Sequence, residues 1–224
     1  MNRILLVLTL AATLVTCNGN ENAEPSTDPN TAEYQVEFQL DWNKDDYPVD
    51  YPSNDHFSAL IGWSHATSSE FFQEGTLASE GIKRMAELGS TSTLSAEINT
   101  RIANNEGLEL TTGSGLGSGV GVITVSVNVS EAFPAITLSS MVAPSPDWYV
   151  AIVNINLLEN GVFVDEKSVP IEVYDAGTDS GTTYTSANAI TSPQSPIGLL
   201  TAPPLGNGSI VNPIIGTAVI TRIK

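Results

Sequence analysis

The stretch EYQVEFQLDW, residues 33–42, decides the fold. Apolar side chains occupy its even positions, and acidic or amide side chains occupy its odd positions. Because successive side chains of a β-strand point to opposite faces, this alternation predicts a strand with one buried face and one solvent-facing face. A half-buried strand of this kind belongs to a sheet whose apolar face is covered by a second layer.

Short apolar strands, separated by turns that contain Gly and Pro, fill most of the remaining chain. Further strand candidates cover residues 57–63, 120–129, 135–142, 148–158, 162–173 and 214–223. Two helices interrupt this series: Ser79 can cap the first, Gly89 ends it, and the second spans residues 92–104. The sequence therefore predicts an all-β fold, an antiparallel β-sandwich with a short helical insertion near residues 77–104.

The composition excludes two classes of partner. The 224 residues include 25 Asp and Glu against 8 Lys and Arg, which gives a formal net charge of -17. This charge repels nucleic-acid phosphates and anionic membrane surfaces, so we expect no nucleic-acid partner and no direct binding to acidic lipid. A hydrophobic fraction of 41% argues for a packed domain and against a disordered acidic chain.

The first residues have the pattern of an export signal. Arg3 precedes an apolar run over residues 4–15, which is too short for a permanent membrane span. Cys17 follows this run and is the only cysteine of the sequence, so no disulfide can form within the chain. The arrangement resembles a bacterial lipobox, in which the cysteine is lipidated, but Thr16 replaces the small residue usual before it. The other interpretation is a cleaved signal peptide with an incidental cysteine.

We therefore expect three segments along the chain. They are a signal peptide over residues 1–16, a lipidated Cys17 with a flexible tether over residues 17–32, and a single domain over residues 33–224. The tether is expected because residues 18–31 are polar and contain Pro and Gly with almost nothing apolar. The protein is thus expected to be exported and lipid-anchored at a bacterial cell envelope, with the membrane contacted through the anchor alone.

The loop DAGTDSG, residues 175–181, carries two carboxylates on one glycine-rich turn. Asp175 and Asp179 can aim at one point because the glycines let the backbone curl, and hard cations take several oxygen ligands. Between Arg101 and Arg222 the sequence has one basic residue, Lys167, so these carboxylates have no cation close in sequence. The pattern indicates a calcium-binding loop.

A predicted hairpin brings a third acid to this loop. The turn at residues 159–161 joins strands 148–158 and 162–173, and matching their apolar faces pairs residues 149, 151 and 153 with residues 173, 171 and 169. Continued by one step, this register places Asp147 opposite Asp175. The predicted metal ligands are therefore Asp147, Asp175 and Asp179. Pro170 cannot donate a ladder hydrogen bond, and a bulge there would shift the register by one residue.

Other interpretations of these residues remain open. Asp175 and Asp179 can simply cap turns through bonds from their carboxylates to backbone N–H groups. The alternative function is an enzyme that uses the acidic cluster as acid and base on glycans or phosphoesters, which requires an open cleft. Zinc on His56 and His65 is disfavoured, because an extended segment puts these residues on opposite faces and no cysteine can join them.

Several blocks resemble the spondin domain family, the amino-terminal module of matrix proteins such as F-spondin. The blocks, in order, are residues 56–58, 60–62 with His65, Gly75 with 78–82, 86–87 with Gly89, 144–148 and 175–181. The resemblance implies a β-sandwich similar to calcium- and phospholipid-binding signalling domains, with calcium held by Asp147, Asp175 and Asp179. Ala151 departs from the Gly expected after Trp148. The cysteines of animal members are missing, so their matrix partners are not carried over.

The sequence thus predicts a calcium-binding, spondin-domain adhesion or binding module without enzymatic activity. Its extracellular ligand is unknown, and a glycan, a protein and a lipid headgroup all stay open. Calcium would first stabilise the fold by removing repulsion among the three carboxylates. A second hypothesis leaves the ion partly open, so that it bridges to an anionic ligand.

Overall fold

The computed structural model describes residues 30–224, so the predicted signal peptide, Cys17 and residues 17–29 of the tether lie outside the described residues. The elements of the described part follow in this order: β1 Thr31–Asp41, β2 His56–Phe57, β3 Ile61–His65, α1 Glu80–Leu88, α2 Ser92–Ala103, β4 Gly107–Thr112, β5 Val120–Ser130, β6 Ala135–Ala143, β7 Trp148–Asn156, β8 Leu158–Glu159, β9 Val162–Phe163, β10 Glu166–Pro170, β11 Glu172–Asp175, β12 Gly198–Leu199 and β13 Gly216–Arg222. Neither helix in residues 30–224 has the length and apolar character needed to cross a membrane.

The strands form two antiparallel sheets that pack as a sandwich, which confirms the predicted fold class. The smaller sheet has the order β10-β13-β1-β5, and the larger has the order β12-β11-β7-β6-β3-β4 with β2 paired to β6. Both sheets contribute to one buried core, whose members include Val36, Phe38, Ile123, Val127, Leu138, Val150, Ile152 and Ala218. The burial of these apolar side chains between the sheets is the main stabilising contribution of the fold.

Strand β1 is central in its sheet and follows the predicted alternation. It pairs with β13 on one side and with β5 on the other. Tyr34, Val36, Phe38 and Leu40 are buried, whereas the residues between them are half-buried or exposed. The period-two pattern of residues 33–42 thus reports a strand with one face on the core.

The helices cover the outer face of the larger sheet, where Ile82, Met85, Leu94 and Ile98 join a second apolar cluster. Helix α1 begins after Ser79, whose Oγ accepts a hydrogen bond from the backbone N–H of Ile82 at 3.2 Å. It ends at Gly89, which has a left-handed φ of 65°. Both predicted helix ends of α1 are therefore confirmed, because the cap residues decide them locally.

The predicted long strand over residues 162–173 is wrong, because the chain changes sheets within it. Asn160 and Gly161 have φ values of 53° and 77° and do form the turn, but only the short strands β8 and β9 pair across it. Strand β10 then pairs with β13 in the smaller sheet, and β11 pairs with β7 in the larger one. Pro170 ends β10, an edge strand, at the place where the ladder can do without its N–H.

Two further differences concern the strands near the helices. The predicted strand over residues 57–63 is divided into β2 and β3. Here the chain bonds to a loop: the N–H of Phe57 donates to the carbonyl of residue 116, and the N–H of Leu60 donates to the carbonyl of residue 114. Strand β4 was not predicted. Its Leu108 is 38% exposed and its other positions mix polar and apolar residues, so the alternation of a half-buried strand is weak there.

Candidate cation site

Asp147 and Asp175 lie at the same end of the β7–β11 pair, but the predicted register is wrong by one residue. Asp175 faces Trp148, and Val173 faces Val150. The backbone N–H of Ala176 donates to the carbonyl oxygen of Asp147 at 3.2 Å, so Asp147 faces Ala176. The shift arises because β11 starts anew after the sheet change at Pro170 and does not continue the β8–β9 hairpin register. The two acids remain neighbours across the strand pair.

The carboxylate of Asp147 holds the loop of residues 175–181 against the start of β7. Its Oδ2 atom accepts three hydrogen bonds: from the backbone N–H of Thr178 at 2.6 Å, from the Thr178 hydroxyl at 3.1 Å and from the backbone N–H of Asp179 at 3.0 Å. The side chain is fully buried. Hydrogen bonds to an ionised acceptor are stronger than neutral ones, so this carboxylate is a principal fixing point of the loop.

The other carboxylate oxygen of Asp147 is an orphan. Oδ1 is buried and has no hydrogen-bond partner within residues 30–224. Burial raises the pKa of Asp147 to about 6, the negative charge of Asp175 adds to this rise, and the hydrogen bonds from Asp179 and Thr178 oppose it. Burying a carboxylate oxygen without a partner costs free energy, so this oxygen is suited to bind a ligand that supplies positive charge.

Asp175 and Asp179 both cap turns, which is the alternative to metal binding that the sequence left open. Asp175 Oδ1 accepts the backbone N–H of Gly177 at 2.7 Å. Asp179 Oδ1 accepts the N–H of Gly181 at 2.7 Å, and Asp179 Oδ2 accepts the N–H of Ala189 at 3.0 Å. Burial raises the pKa of Asp175 above its ordinary value. The structure therefore shows capping roles for both acids, and these bonds give the loop its shape.

Glycine is required at position 177 of this loop. Gly177 has a φ of 70°, and a Cβ atom added there would lie 2.2 Å from the carbonyl oxygen of Ser195. The N–H of Ser195 in turn donates to the carbonyl of Gly177 at 2.9 Å. The loop thus turns sharply and packs directly on a second backbone segment.

Aromatic side chains close the site on its inner side. The Trp148 ring lies 5.6 Å from the ring of Tyr184, which lies 5.2 Å from the ring of Trp42. All three rings are buried. Thr178 and Tyr184 were not singled out from the sequence, since a threonine hydroxyl on Asp147 and a tyrosine packed on Trp148 depend on the loop conformation and leave no local pattern.

The donor set is small within the described part of the chain. In residues 30–224, no three His, Cys, Asp or Glu side chains gather closely enough to hold a metal ion between them. None of the ion pairs found there involves Asp147, Asp175 or Asp179. Of the predicted ligands, Asp147 has a buried oxygen without a partner, and Asp175 is near enough for its charge to raise the pKa of Asp147. Carboxylate oxygens fit a hard cation. Asp179 is held beside Asp147, because its backbone N–H donates to the Asp147 carboxylate.

The two histidines occupy different surroundings. His65 is buried. Its Nδ1 donates to the carbonyl of Ala66 at 2.8 Å, and its Nε2 accepts a hydrogen bond from Thr137 Oγ1 at 2.8 Å. The Nδ1 proton follows from the carbonyl, which can only accept. His56 Nδ1 donates to the carbonyl of Asn54 at 2.7 Å. Each side chain thus makes the hydrogen bonds expected of a structural histidine.

Comparison with known proteins identifies the family. The Spondin_N family profile matches residues 32–207. Spondin-1 of Rattus norvegicus is 34% identical over 155 residues, which cover 66% of this chain and 19% of that protein. Spondin-1 of Xenopus laevis is 33% identical over 182 residues, which cover 75% of this chain and 22% of that protein. Spondin-2 of Rattus norvegicus is 27% identical over 147 residues, which cover 65% of this chain and 44% of that protein.

The chain belongs to the Spondin_N family, and the resemblance drawn from the sequence blocks is confirmed. The matched segments span about a fifth of Spondin-1 and less than half of Spondin-2. The match includes residues 144–148 and 175–181, so the candidate cation site lies inside the family domain.

Proposed function

We propose that this chain is an exported binding module that uses the Spondin_N domain for adhesion to an extracellular ligand, with a calcium ion at Asp147, Asp175 and Asp179. The observation that carries the cation is the buried, unpartnered Oδ1 of Asp147, whose pKa is raised by burial and by the charge of Asp175. The family membership supports the binding function, because the matched proteins are Spondin-1 and Spondin-2. The chain is proposed to have no enzymatic activity.

The residues of the site can each contribute to calcium binding. A carboxylate oxygen that accepts one hydrogen bond keeps a lone pair, so the capping bonds of Asp175 and Asp179 leave ligand capacity. Calcium takes six to eight oxygen ligands at about 2.3–2.6 Å, so carbonyl oxygens or water would complete the set. The bound ion would supply positive charge that offsets the buried carboxylates. The chain's own residues hold the loop, exclude water and set the position of each acid.

Burial favours a structural ion over both a catalytic cluster and a bridging ion. Asp147 is fully buried, and Asp179 is 6% exposed. An acid–base pair for glycans or phosphoesters needs carboxylates that face an open cleft, which these two do not. An ion that bridges to an external ligand likewise needs an open coordination position. We therefore propose that calcium fixes the loop, and that the ligand binds elsewhere on the domain.

Calcium titration of the purified domain, measured by isothermal calorimetry, tests the cation site. We expect one ion per wild-type chain and no measurable binding by Asp175→Ala at the same concentration. The matched control is Asp45→Ala, since Asp45 is exposed and its carboxylate has no hydrogen bond within residues 30–224. This control is expected to bind as the wild type does. Wild-type protein that takes up no calcium, or equal binding by Asp175→Ala, contradicts the site.

We further propose that the protein is held at a bacterial cell envelope through a lipid on Cys17. The supporting pattern is the apolar run of residues 4–15 that ends next to this cysteine. Bacteria expressing the full chain and fed an alkyne fatty acid are expected to label the wild type and not Cys17→Ser. Label on both proteins, or on neither, contradicts the anchor and leaves the cation site untouched.

A further inference from the structure

Strand β5 forms one edge of the smaller sheet and carries no charged side chain. It pairs with β1 on one side, and no strand of residues 30–224 pairs with its other side. Edge strands are commonly protected from other chains by charges or proline. Strand β10, at the opposite edge, has such residues in Glu166, Lys167 and Pro170. The eleven residues of β5, VGVITVSVNVS, have neither, in a chain with 25 acidic residues.

The even-numbered residues of β5 direct their backbone groups to the free edge. The N–H of Asn128 donates to Glu109 Oε1 at 2.7 Å, and the N–H of Ser130 donates to the carbonyl of Phe133 at 3.3 Å, so neither bonds to β1. Backbone groups of alternate residues in a strand point to the same side. The N–H and carbonyl groups of Val122, Thr124 and Ser126 therefore also point away from β1.

The two ends of this edge are occupied, and its middle is open. The hydroxyl of Ser118 bonds to both the N–H and the carbonyl of Val120 at 3.1 Å, and Glu109 takes the N–H of Asn128. Between them, the outward backbone groups of Val122, Thr124 and Ser126 have no hydrogen-bond partner within residues 30–224. The side chains of these three residues are exposed as well, 51% for Val122. We call these three residues the open edge.

Carboxylates lie at one end of the open edge and on the strand behind it. The carboxylate of Glu109 lies at its Asn128 end, while Asp41 and Glu37 belong to β1, the strand behind β5, where they pair with Val120 and Thr124. The sequence contains no Lys or Arg between Arg101 and Lys167, so β5 and its neighbours in sequence add no positive charge. A second copy of this chain, with a formal charge of -17, would bring like charges together at such an edge.

We propose that the open edge binds an extended peptide segment that carries Lys or Arg, as an added β-strand. The backbone groups of Val122, Thr124 and Ser126 would form the ladder, and the carboxylate of Glu109, with those of β1 behind the edge, would select for positive charge on the incoming strand. β-branched residues on that strand would pack beside the exposed Val and Thr side chains. The inference does not depend on calcium, and it gives the binding module a surface separate from the cation site.

Amide hydrogen exchange with two capped peptides, KTVTVTK and ETVTVTE, tests the open edge. We expect KTVTVTK to slow exchange at Val122, Thr124 and Ser126, and to bind more weakly as salt is raised. ETVTVTE is expected to bind at least about tenfold more weakly, since it meets like charge. Protection elsewhere on the domain, equal binding of the two peptides, or no binding overturns the proposal. Protection that rises with protein concentration alone overturns it in favour of a second copy.

Two variants at one position separate the backbone from the side chain. Thr124→Pro removes an outward N–H without removing a bond to β1, and is expected to weaken KTVTVTK binding about tenfold through the lost ladder bond. Thr124→Val keeps the N–H and is expected to bind as the wild type does. Thermal melting of both variants reports whether they fold. Should Thr124→Pro fail to fold, the exchange pattern of the wild type decides the matter by itself.

Discussion

Removal of calcium by a chelator is expected to lower the melting temperature of the wild-type protein by about 5–10 °C. An ion present at a hundred times its dissociation constant stabilises the folded state by about 2.7 kcal/mol. For a domain of this size, each kcal/mol corresponds to about 2–4 °C. The effect follows from the buried Oδ1 of Asp147 and the charge of Asp175, which the ion would offset. Differential scanning calorimetry with calcium and with chelator measures it.

The variant Asp147→Asn sharpens this test because the two conditions predict opposite rankings. Its amide keeps an oxygen for the N–H groups of Thr178 and Asp179 but removes the buried charge. In chelator at pH 7 we expect the variant to melt no lower than the wild type, since burial and the charge of Asp175, which raise the pKa of Asp147, disfavour its ionised form. In calcium we expect it to melt below the wild type, because it lacks the response to the ion.

The exposed Asp45→Asn variant is the control for charge removal in general, and is expected to follow the wild type in both conditions. If wild type and Asp147→Asn respond equally to calcium, the ion does not bind at Asp147. If neither responds, the calcium proposal fails as a whole, while the family assignment and the open edge are unaffected.

The parts of the fold that the sequence predicted are those with local causes. The alternation of β1 and the caps of α1 at Ser79 and Gly89 depend on nearest neighbours in sequence, and both are confirmed. The path of residues 162–173 has no such cause. Whether Ile171 continues one sheet or starts toward another depends on which strands are already beside it, and β13 lies more than 40 residues further along the chain.

The candidate site shows the same division. Asp147 was placed near Asp175 by a hairpin register that is wrong by one residue. The two acids still lie at the same end of a strand pair, because β7 and β11 pair even though the assumed hairpin does not connect them. The turn-capping bonds of Asp175 and Asp179 follow from the loop sequence. The three hydrogen bonds that Asp147 accepts from Thr178 and Asp179 depend on tertiary packing. The metal ligands remain a prediction for the titration and melting experiments.

Protonation of His65 provides the second large effect, an acid-induced loss of stability between about pH 6.5 and pH 4. Burial lowers the pKa of His65 from 6.5 to about 4, against the opposing hydrogen bond to Ala66, and the charge of Arg101 adds to the decrease. In this range the unfolded chain binds a proton on this residue that the folded chain does not. Stability therefore is fully present above pH 6.5 and falls as the pH decreases toward 4.

The structure explains why the folded state resists this proton. The neutral ring of His65 accepts a hydrogen bond from Thr137 at Nε2 and stacks on the Trp63 ring, with 5.0 Å between ring centroids. The guanidinium of Arg101 lies over that same Trp63 ring, 4.8 Å from its centroid. An imidazolium would lose the acceptor at Nε2 and repel Arg101. The Oγ1 of Thr137 also accepts the N–H of Asn154 at 2.9 Å, and its hydroxyl proton is donated to Nε2 of the neutral ring.

The free energy of unfolding of the wild type is expected to fall by about 2 kcal/mol through His65 alone when the pH is lowered from 7 to 5, from the shift of the pKa. Asp147 and Asp175 have the opposite effect: their pKa values are raised, so their protonation favours the folded state as the pH falls. The effect of His65 is therefore measured as a difference between variants. Urea unfolding in chelator at both pH values, for wild type and His65→Gln, isolates the histidine, since the carboxyls are common to both.

We expect His65→Gln to be less stable than the wild type at pH 7 but to lose about 2 kcal/mol less between pH 7 and pH 5, because glutamine binds no proton in this range. His56→Gln is the matched control for the same substitution at a histidine that lies away from Thr137 and Arg101: His56 is half-buried and bonds to Asn54. A pH dependence of His65→Gln equal to that of the wild type would mean that His65 takes up its proton in the folded state, which the contacts with Thr137 and Arg101 oppose.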